Sequence, residues 1–376
     1  MPGSLAARQT AVRPIPNNVY TKICDFDLVK REGRHTCATS MRLGRDIGID
    51  LGTANTLVCR KDEVILNEPS VVAIRKDTKE ILAVGSEAKA MIGRTPGDII
   101  AVQPMLDGVI ADYEVTEKML NYFIKKCMKP SLFKPRLVVG IPRGATSVER
   151  RAVEEAAFKA GAREVYLIEE PMAAAIGAGI PVEEPTGHMV VDIGGGTTEI
   201  AVTSLGGIVA GRSIRVAGNS MDKAIIMYLR RAYSIVVGER TAEEIKVKIG
   251  NAFPETEEEL EIRGRNLVTG LPVNLVVHTR EIHEAISEPL AEIVRAVKAT
   301  LEETKPEVAS DIFENGVILT GGGALIKNID KLLKHETNLP VFISEEPLFS
   351  VAKGTALVLE HHQMLRNLKP RRSKSR

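Results

Sequence analysis

Two stretches of this chain are versions of one another, and that repeat constrains the possible folds more than any other feature. DIGIDLGTANTLV at residues 46–58 is matched by MVVDIGGGTTEIAV at 189–202. Each reads as a strand, an aspartate, an apolar residue, a Gly-rich polar turn and a returning strand. Asp50 and Asp192 lie 142 residues apart, so the repeating unit is a whole domain and not a solenoid module. Two such domains facing one another would put one Asp-Gly hairpin on each side of a cleft. A third Gly turn, LTGGGAL at 319–325, follows a buried-strand pattern at 317–319 and is expected to open a helix.

Strand and helix signals alternate around these turns, which places the chain in the α/β class. Met119, Leu120, Phe123, Ile124 and Cys127 recur at helical spacing, predicting a helix over 116–128. Residues 137–141 read as a buried strand. Thr146 and Glu149 form a candidate capping box for a helix expected to end at Gly161. Another strand is expected at 165–168, and a helix after Pro171. Residues 1–40 are studded with Pro, Asn, Gly and Arg and have no sustained period. They read as a poorly ordered extension, with Met41 a candidate start codon.

The turns have a definite chemistry. Glycines let the backbone curl so that successive N–H groups converge on an anion. Thr53, Asn55, Thr197 and Thr198 can add side-chain donors. The carboxylates of Asp50 and Asp192 would repel a phosphate unless a hard cation lay between, and Mg²⁺ keeps most of its waters in such sites. A single Gly-rich hairpin would be only a hairpin; two at domain spacing, each led by Asp, point to a nucleotide polyphosphate with Mg²⁺. Neither GxxxxGK[ST] nor GxGxxG occurs at these turns, which disfavours P-loop and dinucleotide readings. Between the repeats, Glu169-Glu170-Pro171 precedes a helix rich in small residues. The glutamates could merely complement the helix dipole. A carboxylate held there at a cleft could instead orient a water for attack on a terminal phosphate.

Composition removes other classes. Four cysteines, Cys24, Cys37, Cys59 and Cys127, include no CxxC pair, arguing against a disulfide scaffold or zinc ribbon and for reduced thiols in a cytosol. No apolar run is long enough to span a membrane, and no secretory signal is expected. The net charge of +1 conceals +3 over residues 1–40 and +6 over 366–376, leaving −8 for 41–365. A net acidic body makes nucleic acid an unexpected partner. The basic end reads first as a solvated tail, and second as a segment drawn to an anionic membrane.

Taken in order, these motifs resemble the MreB family of bacterial actin-like cell-shape proteins, within the actin and heat-shock-chaperone ATPase superfamily. LNEPSVVAI, VGSEAKAMIGRTPG, DGVIADYEVTEKML, GAREVYLIEEPMAAAIGAG and ILTGGGALI add to the two repeats, and the resemblance covers about residues 41–365. It implies an α/β actin-like ATPase fold: two similar ribonuclease-H-like domains around a nucleotide cleft, each with a smaller inserted subdomain. The implied division is an extension at 1–40, domain I at 41–181 with a small subdomain about 71–117, and domain II at 182–353 with one about 220–285. A C-terminal helix at 354–368 would return to domain I, and 369–376 would form a basic tail.

By the same resemblance, Thr53, Ala54 and Asn55 belong to the first phosphate loop, and Gly195, Gly196 and Thr197 to the second. Glu243, Glu244, Ile245 and Lys246 fall where the family holds the nucleoside. Gly322, Gly323, Ala324 and Leu325 fall beside base and ribose. Glu170 matches the position that orients the attacking water, and Asp50 and Asp192 those that hold hydrated Mg²⁺. The implied protein binds ATP, hydrolyses it slowly in step with assembly, and adds head to tail into filaments at the inner face of the cytoplasmic membrane. There it would guide cell-wall synthesis with membrane-embedded partners.

Leu132 and Phe133, bracketed by Lys129, Lys134 and Arg136, match the family's membrane-insertion loop. Alternatively they close the end of the preceding helix onto the core. Residues 1–40 lack the amphipathic helix that some members use as an anchor, and such an extension is unusual for the family. Three competitors share the cleft: a sugar or acetate kinase, a chaperone ATPase domain, and an actin-like protein of plasmid segregation or division-ring anchoring. The first would need a second-substrate site, which is not identifiable in the sequence. The second would need a β-rich peptide-binding domain, and none follows.

Overall fold

A computed structural model describes residues 46–127, 134–361, 364–365, 368 and 371–372. Leu132, Phe133, the extension at 1–40 and most of the basic tail lie outside the described residues.

In chain order, β1 (Ile47–Leu51), β2 (Asn55–Arg60) and β3 (Glu63–Pro69) form a meander. Next come β4 (Val72–Arg75), β5 (Ile81–Val84), α1 (Ser86–Met91) and β6 (Ile99–Val102), then a short hairpin of β7 (Met105–Leu106) and β8 (Val109–Ile110). The half closes with α2 (Tyr113–Cys127), β9 (Arg136–Ile141), α3 (Ser147–Lys159), β10 (Glu164–Glu169) and α4 (Glu170–Gly177). A second meander follows: β11 (His188–Ile193), β12 (Thr198–Ser204) and β13 (Gly207–Ile214). Then come α5 (Gly218–Tyr233), β14 (Ile235–Val236), α6 (Glu239–Ile249), β15 (Glu259–Asn266) and β16 (Pro272–His278). The long α7 (Thr279–Glu303), α8 (Pro306–Asn315), β17 (Val317–Thr320), α9 (Ile329–Thr337), β18 (Val341–Ile343) and α10 (Ser350–Glu360) complete the body, with β19 (Arg371–Arg372) beyond.

The sequence repeat is a repeat of topology. One sheet runs β19-β10-β9-β1-β2-β3 and the other β18-β17-β11-β12-β13. In both, the first strand of the meander pairs antiparallel with the second and parallel with a strand that arrives much later. Even the register agrees: Asp50 lies opposite Leu57 and Asp192 opposite Glu199, seven residues on in each case. Two smaller sheets, β5-β4-β6 and β14-β15-β16, are inserted one in each half.

Each large sheet has its own outer core. Helix α2 buries Val115, Met119, Leu120, Phe123 and Ile124, an i, i+3/i+4 stripe, against β1 and β9. Each such side chain, when fully enclosed, is worth about 1.5–3 kcal/mol. The second outer core takes Met221 and Ile225 from α5, and Ile286, Ile293 and Val297 from α7. A third cluster joins the halves, with Val138 and Ile168 of one sheet, Val190 and Ala201 of the other, and Ala173, Ala174 and Ala175 of α4.

Local signals translate with small shifts. The Thr146 capping box is present, with the Glu149 amide donating to Thr146 Oγ1 at 3.3 Å and the Thr146 amide to Glu149 Oε2 at 2.6 Å. The helix it starts ends at Lys159, with Ala160 as cap, just short of Gly161. The C-terminal helix begins at Ser350, earlier than 354, and ends at Glu360. One expectation is corrected. The third Gly turn opens a 3₁₀ turn over Gly322–Leu325, closed by i to i+3 bonds from the amides of Ala324 and Ile326. The α-helix waits until Ile329, because Asn328 takes a left-handed conformation that redirects the chain.

Candidate functional site

Strand alternation explains where the two aspartates point. Ile47, Ile49 and Leu51 face one outer core, so Gly48 and Asp50 occupy the opposite face of β1. Met189, Val191 and Ile193 face the other outer core, leaving Val190 and Asp192 on the inner face of β11. Both carboxylates therefore project into the space between the sheets. A cavity of about 410 Å³ lies there, lined by both hairpins.

Asp50, Thr53, Ala54 and Asn55 line it from the first hairpin, and Asp192, Gly195, Gly196 and Thr197 from the second. The two turns approach so closely that glycine is required. A Cβ on Gly195 would lie 2.6 Å from Ala54 Cβ, and one on Gly196 would lie 2.5 Å from Thr53 Oγ1. Thr53 Oγ1 also accepts the Gly108 amide at 2.9 Å, which draws the β7–β8 turn to the rim.

Glu170, 7% exposed, reaches the cavity from the start of α4. Its neighbour Glu169 is occupied elsewhere, taking Arg143 Nη1 at 2.9 Å and lying 3.5 Å from Arg150 Nη2. Geometry thus separates the Glu-Glu pair into one cavity carboxylate and one ion-paired carboxylate.

Of the nucleoside group, Glu243 and Lys246 line the cavity, whereas Glu244 and Ile245 do not. The reason is helical period. Residues 243, 246 and 247 share one face of α6, Ile245 is wholly buried in the core, and Glu244 points outward to pair with Lys248 at 2.8 Å. Lys246 Nζ is fixed by Asp222 Oδ2 at 2.9 Å and by the Gly218 carbonyl at 3.0 Å. In the third turn, Gly322, Gly323 and Leu325 line the cavity, but Ala324 is turned into the second outer core.

The charges are crowded. Burial, and then the charge of Asp192, pushes the Asp50 carboxyl up to about 7. Burial raises Asp192 to about 6, against the opposing effect of Thr320, whose hydroxyl donates to Asp192 Oδ1 at 2.8 Å. Glu170 is raised well above its ordinary range by burial, then by Glu199 and the two aspartates. Glu199, behind the cavity, is raised to about 7 by burial although Ser213 Oγ and the Arg143 amide both donate to it. Buried carboxylates this close together repel one another when ionised, a repulsion that a bound metal ion would relieve. Among the described residues no three His, Cys, Asp or Glu side chains could enclose a metal. A cation here would thus depend on water and on a ligand for most of its coordination.

Sequence reasoning missed Gly108, Gly218, Asn219, Asp222, Pro347 and Leu348, all of which line the cavity. The Asp107-Gly108 dipeptide announces a hairpin but not its destination. Nothing local marks the start of α5, whose first amides are taken by the Gly194 and Gly195 carbonyls.

Residues 44–367 match the family described as MreB/Mbl protein. The chain is 57% identical over 323 residues to the cell shape-determining protein MreB of Escherichia coli (strain K12), covering 84% of this chain and 93% of that one. It is 52% identical over 324 residues to the cell shape-determining protein Mbl of Bacillus subtilis (strain 168), covering 85% and 97%. The crystal structure of MreB5 of Spiroplasma citri bound to AMPPNP is similar with a TM-score of 0.81 at 40% identity, over 85% of this chain and 96% of that one. A MamK double helical filament shares the fold, with a TM-score of 0.72 at 21% identity over 84% and 98%. With its paired meander sheets, inserted smaller sheets and central cleft, this is an actin-like α/β fold, and the chain belongs to the MreB/Mbl family.

Proposed function

We propose that this chain is a nucleotide-binding, actin-like cell-shape protein that binds ATP with Mg²⁺, hydrolyses it slowly and assembles head to tail into membrane-associated filaments. The observation that carries the reading is the convergence of two equivalent Asp-Gly hairpins on one cavity, with both aspartates on inner strand faces. Relatives more than half identical are named for determining cell shape, and a relative at 40% identity is described bound to AMPPNP.

The residues present fit the cofactor. Backbone amides of the Thr53–Asn55 and Gly195–Thr197 turns would cradle phosphate oxygens, and Lys246, Glu243 and the Gly322–Leu325 turn would hold the nucleoside end. Asp50 and Asp192 would hold Mg²⁺ through its waters, and the ion when bound would offset the charge of the phosphates. Glu170 would accept a hydrogen bond from a water and aim it in line, while Arg143 and Arg150 keep Glu169 out of that role. Contacts between subunits would be heterologous, and a rotation that does not close extends them into a filament. No helix among the described residues is long and apolar enough to cross a membrane. Membrane contact is assigned to Leu132 and Phe133, and the final partners to membrane-embedded cell-wall-synthesis proteins.

Calorimetry with ATP and Mg²⁺ tests the cavity. Asp192→Ala should abolish Mg²⁺-dependent binding, and an affinity equal to wild type would reduce Asp192 to a hairpin residue. Sedimentation with ATP and lipid vesicles tests assembly. A filament protein pellets, whereas a small-molecule kinase stays in the supernatant and consumes ATP only with its second substrate.

A further inference from the structure

At the mouth of the cleft one ion pair ties the halves together. Lys89 Nζ, on α1, lies 3.0 Å from Glu243 Oε1 and 2.9 Å from Glu243 Oε2, on α6. Lys89 belongs to the first half and Glu243 to the second, so the pair crosses from one to the other. Elsewhere the halves are joined by close packing: Ala54 against Gly195, Thr53 against Gly196, and α4 against β11 and β12. At the mouth it is this pair, and both side chains remain about two-fifths exposed, at 37% and 41%.

Both ends are rigidly supported. The start of α1 is held by Glu68 Oε2, which accepts the Ser86 amide at 2.9 Å and the Ser86 hydroxyl at 2.7 Å. Ala88, beside Lys89, is wholly buried in a small cluster with Val71 and Ala73. On the other side, Ala242 and Ile245 flank Glu243 and are wholly buried in the second outer core. Moving α1 away from α6 would therefore separate Lys89 from Glu243.

We propose that Lys89 is a positioning residue for the bound nucleotide: acting through Glu243, it holds the rim of the cavity and slows nucleotide release. This rests on the nucleotide reading above. Glu243 lines the cavity one helical turn from Lys246 on the same face, so its orientation sets the shape of the nucleoside end. Lys89 itself lies outside the cavity lining and acts only by fixing that carboxylate.

The test is release of a fluorescent ADP, preloaded with Mg²⁺ and chased with unlabelled ATP, at low and high salt. Lys89→Ala should release about two- to five-fold faster at low salt, the size of effect that a partly exposed ion pair supplies. Lys89→Arg should restore the slow rate. The wild-type rate should rise with salt towards that of Lys89→Ala, whose own rate should change little. Adding Lys89→Ala to Glu243→Ala should change release no further than Glu243→Ala alone. Unchanged release in Lys89→Ala overturns the clamp while leaving the nucleotide reading intact, as does equal acceleration by Lys89→Arg. If the wild-type chain takes up no ADP or ATP at all, both readings fall.

Discussion

Asp50 and Asp192 are held where their charges are costly, and that cost should be measurable without any ligand. Burial raises their carboxyls to about 7 and about 6, from an ordinary value near 3.8. Between those limits the native chain binds protons that the unfolded chain has released, so stability falls as pH rises through the window and levels off above it. Melting of the Mg²⁺- and nucleotide-free protein should therefore shift down between about pH 4 and about pH 7. Asp50→Asn should flatten the slope, and a slope unchanged by it would mean that Asp50 ionises in the native chain as it does in the unfolded one. Glu170→Ala should slow phosphate release on the order of 10²-fold while sparing nucleotide binding, because Glu170 lines the cavity from the start of α4, where its carboxylate can orient a water. Unchanged turnover would remove it from the role, and Glu169 is already committed to Arg143 and Arg150. These residues were legible because each adjoins a Gly turn or a Pro-capped helix start. The block 243–246 was legible only as a block: consecutive helical residues point about 100° apart, so a contiguous stretch cannot all face one cavity. Lys89 carried no signal at all, since its partner lies 154 positions away.

Elements show where close approach, rather than chemistry, decides the sequence. Helices α4 and α10 pack against each other between the two large sheets, α4 touching β11 and β12 and α10 touching β1 and β9. Their backbones meet at two glycines: a Cβ on Gly177 would overlap the Ser350 carbonyl, and one on Gly354 would overlap the Ala173 carbonyl. The run of alanines in α4 was readable as a close-packing face, but the identity of the facing helix was not, because α10 arrives nearly two hundred residues later. Gly354→Val should push the helices apart, and overpacking of this kind costs about 1–3 kcal/mol or more. Denaturant melts should show the loss, and Gly97→Ala, where no atom lies within 4 Å of the added Cβ and φ is not positive, serves as a comparison for the effect of adding side-chain bulk alone. Equal midpoints for Gly354→Val and wild type would mean that the helices can separate freely, which their contact with both sheets argues against. The β1–β2 and β11–β12 hairpins were fully legible, since their alternation and their turns agree with one another.

At the scale of the whole molecule, the proposed membrane contact sets a net acidic body against an anionic surface. In the chain, residues 128–133 fall between α2 and β9, a central strand of the first sheet. In sequence, Leu132 and Phe133 are two large apolar residues among Lys129, Lys134 and Arg136, followed by Pro135, a residue that disfavours helix. Burying two such side chains at the acyl boundary is worth about 1.5–3 kcal/mol each, too little to hold a monomer firmly. The proposed filament would multiply the contact, because each subunit would bind once its neighbours already held it at the surface. Leu132→Ser combined with Phe133→Ser should therefore leave ATP binding intact but release filaments from anionic vesicles. Salt should weaken wild-type binding only in part, since the basic residues are screened and the apolar contact is not. Co-sedimentation of the double variant with vesicles at the wild-type level would return Leu132 and Phe133 to a structural role at the end of α2, and the basic residues beyond 366 would become the remaining route to the membrane.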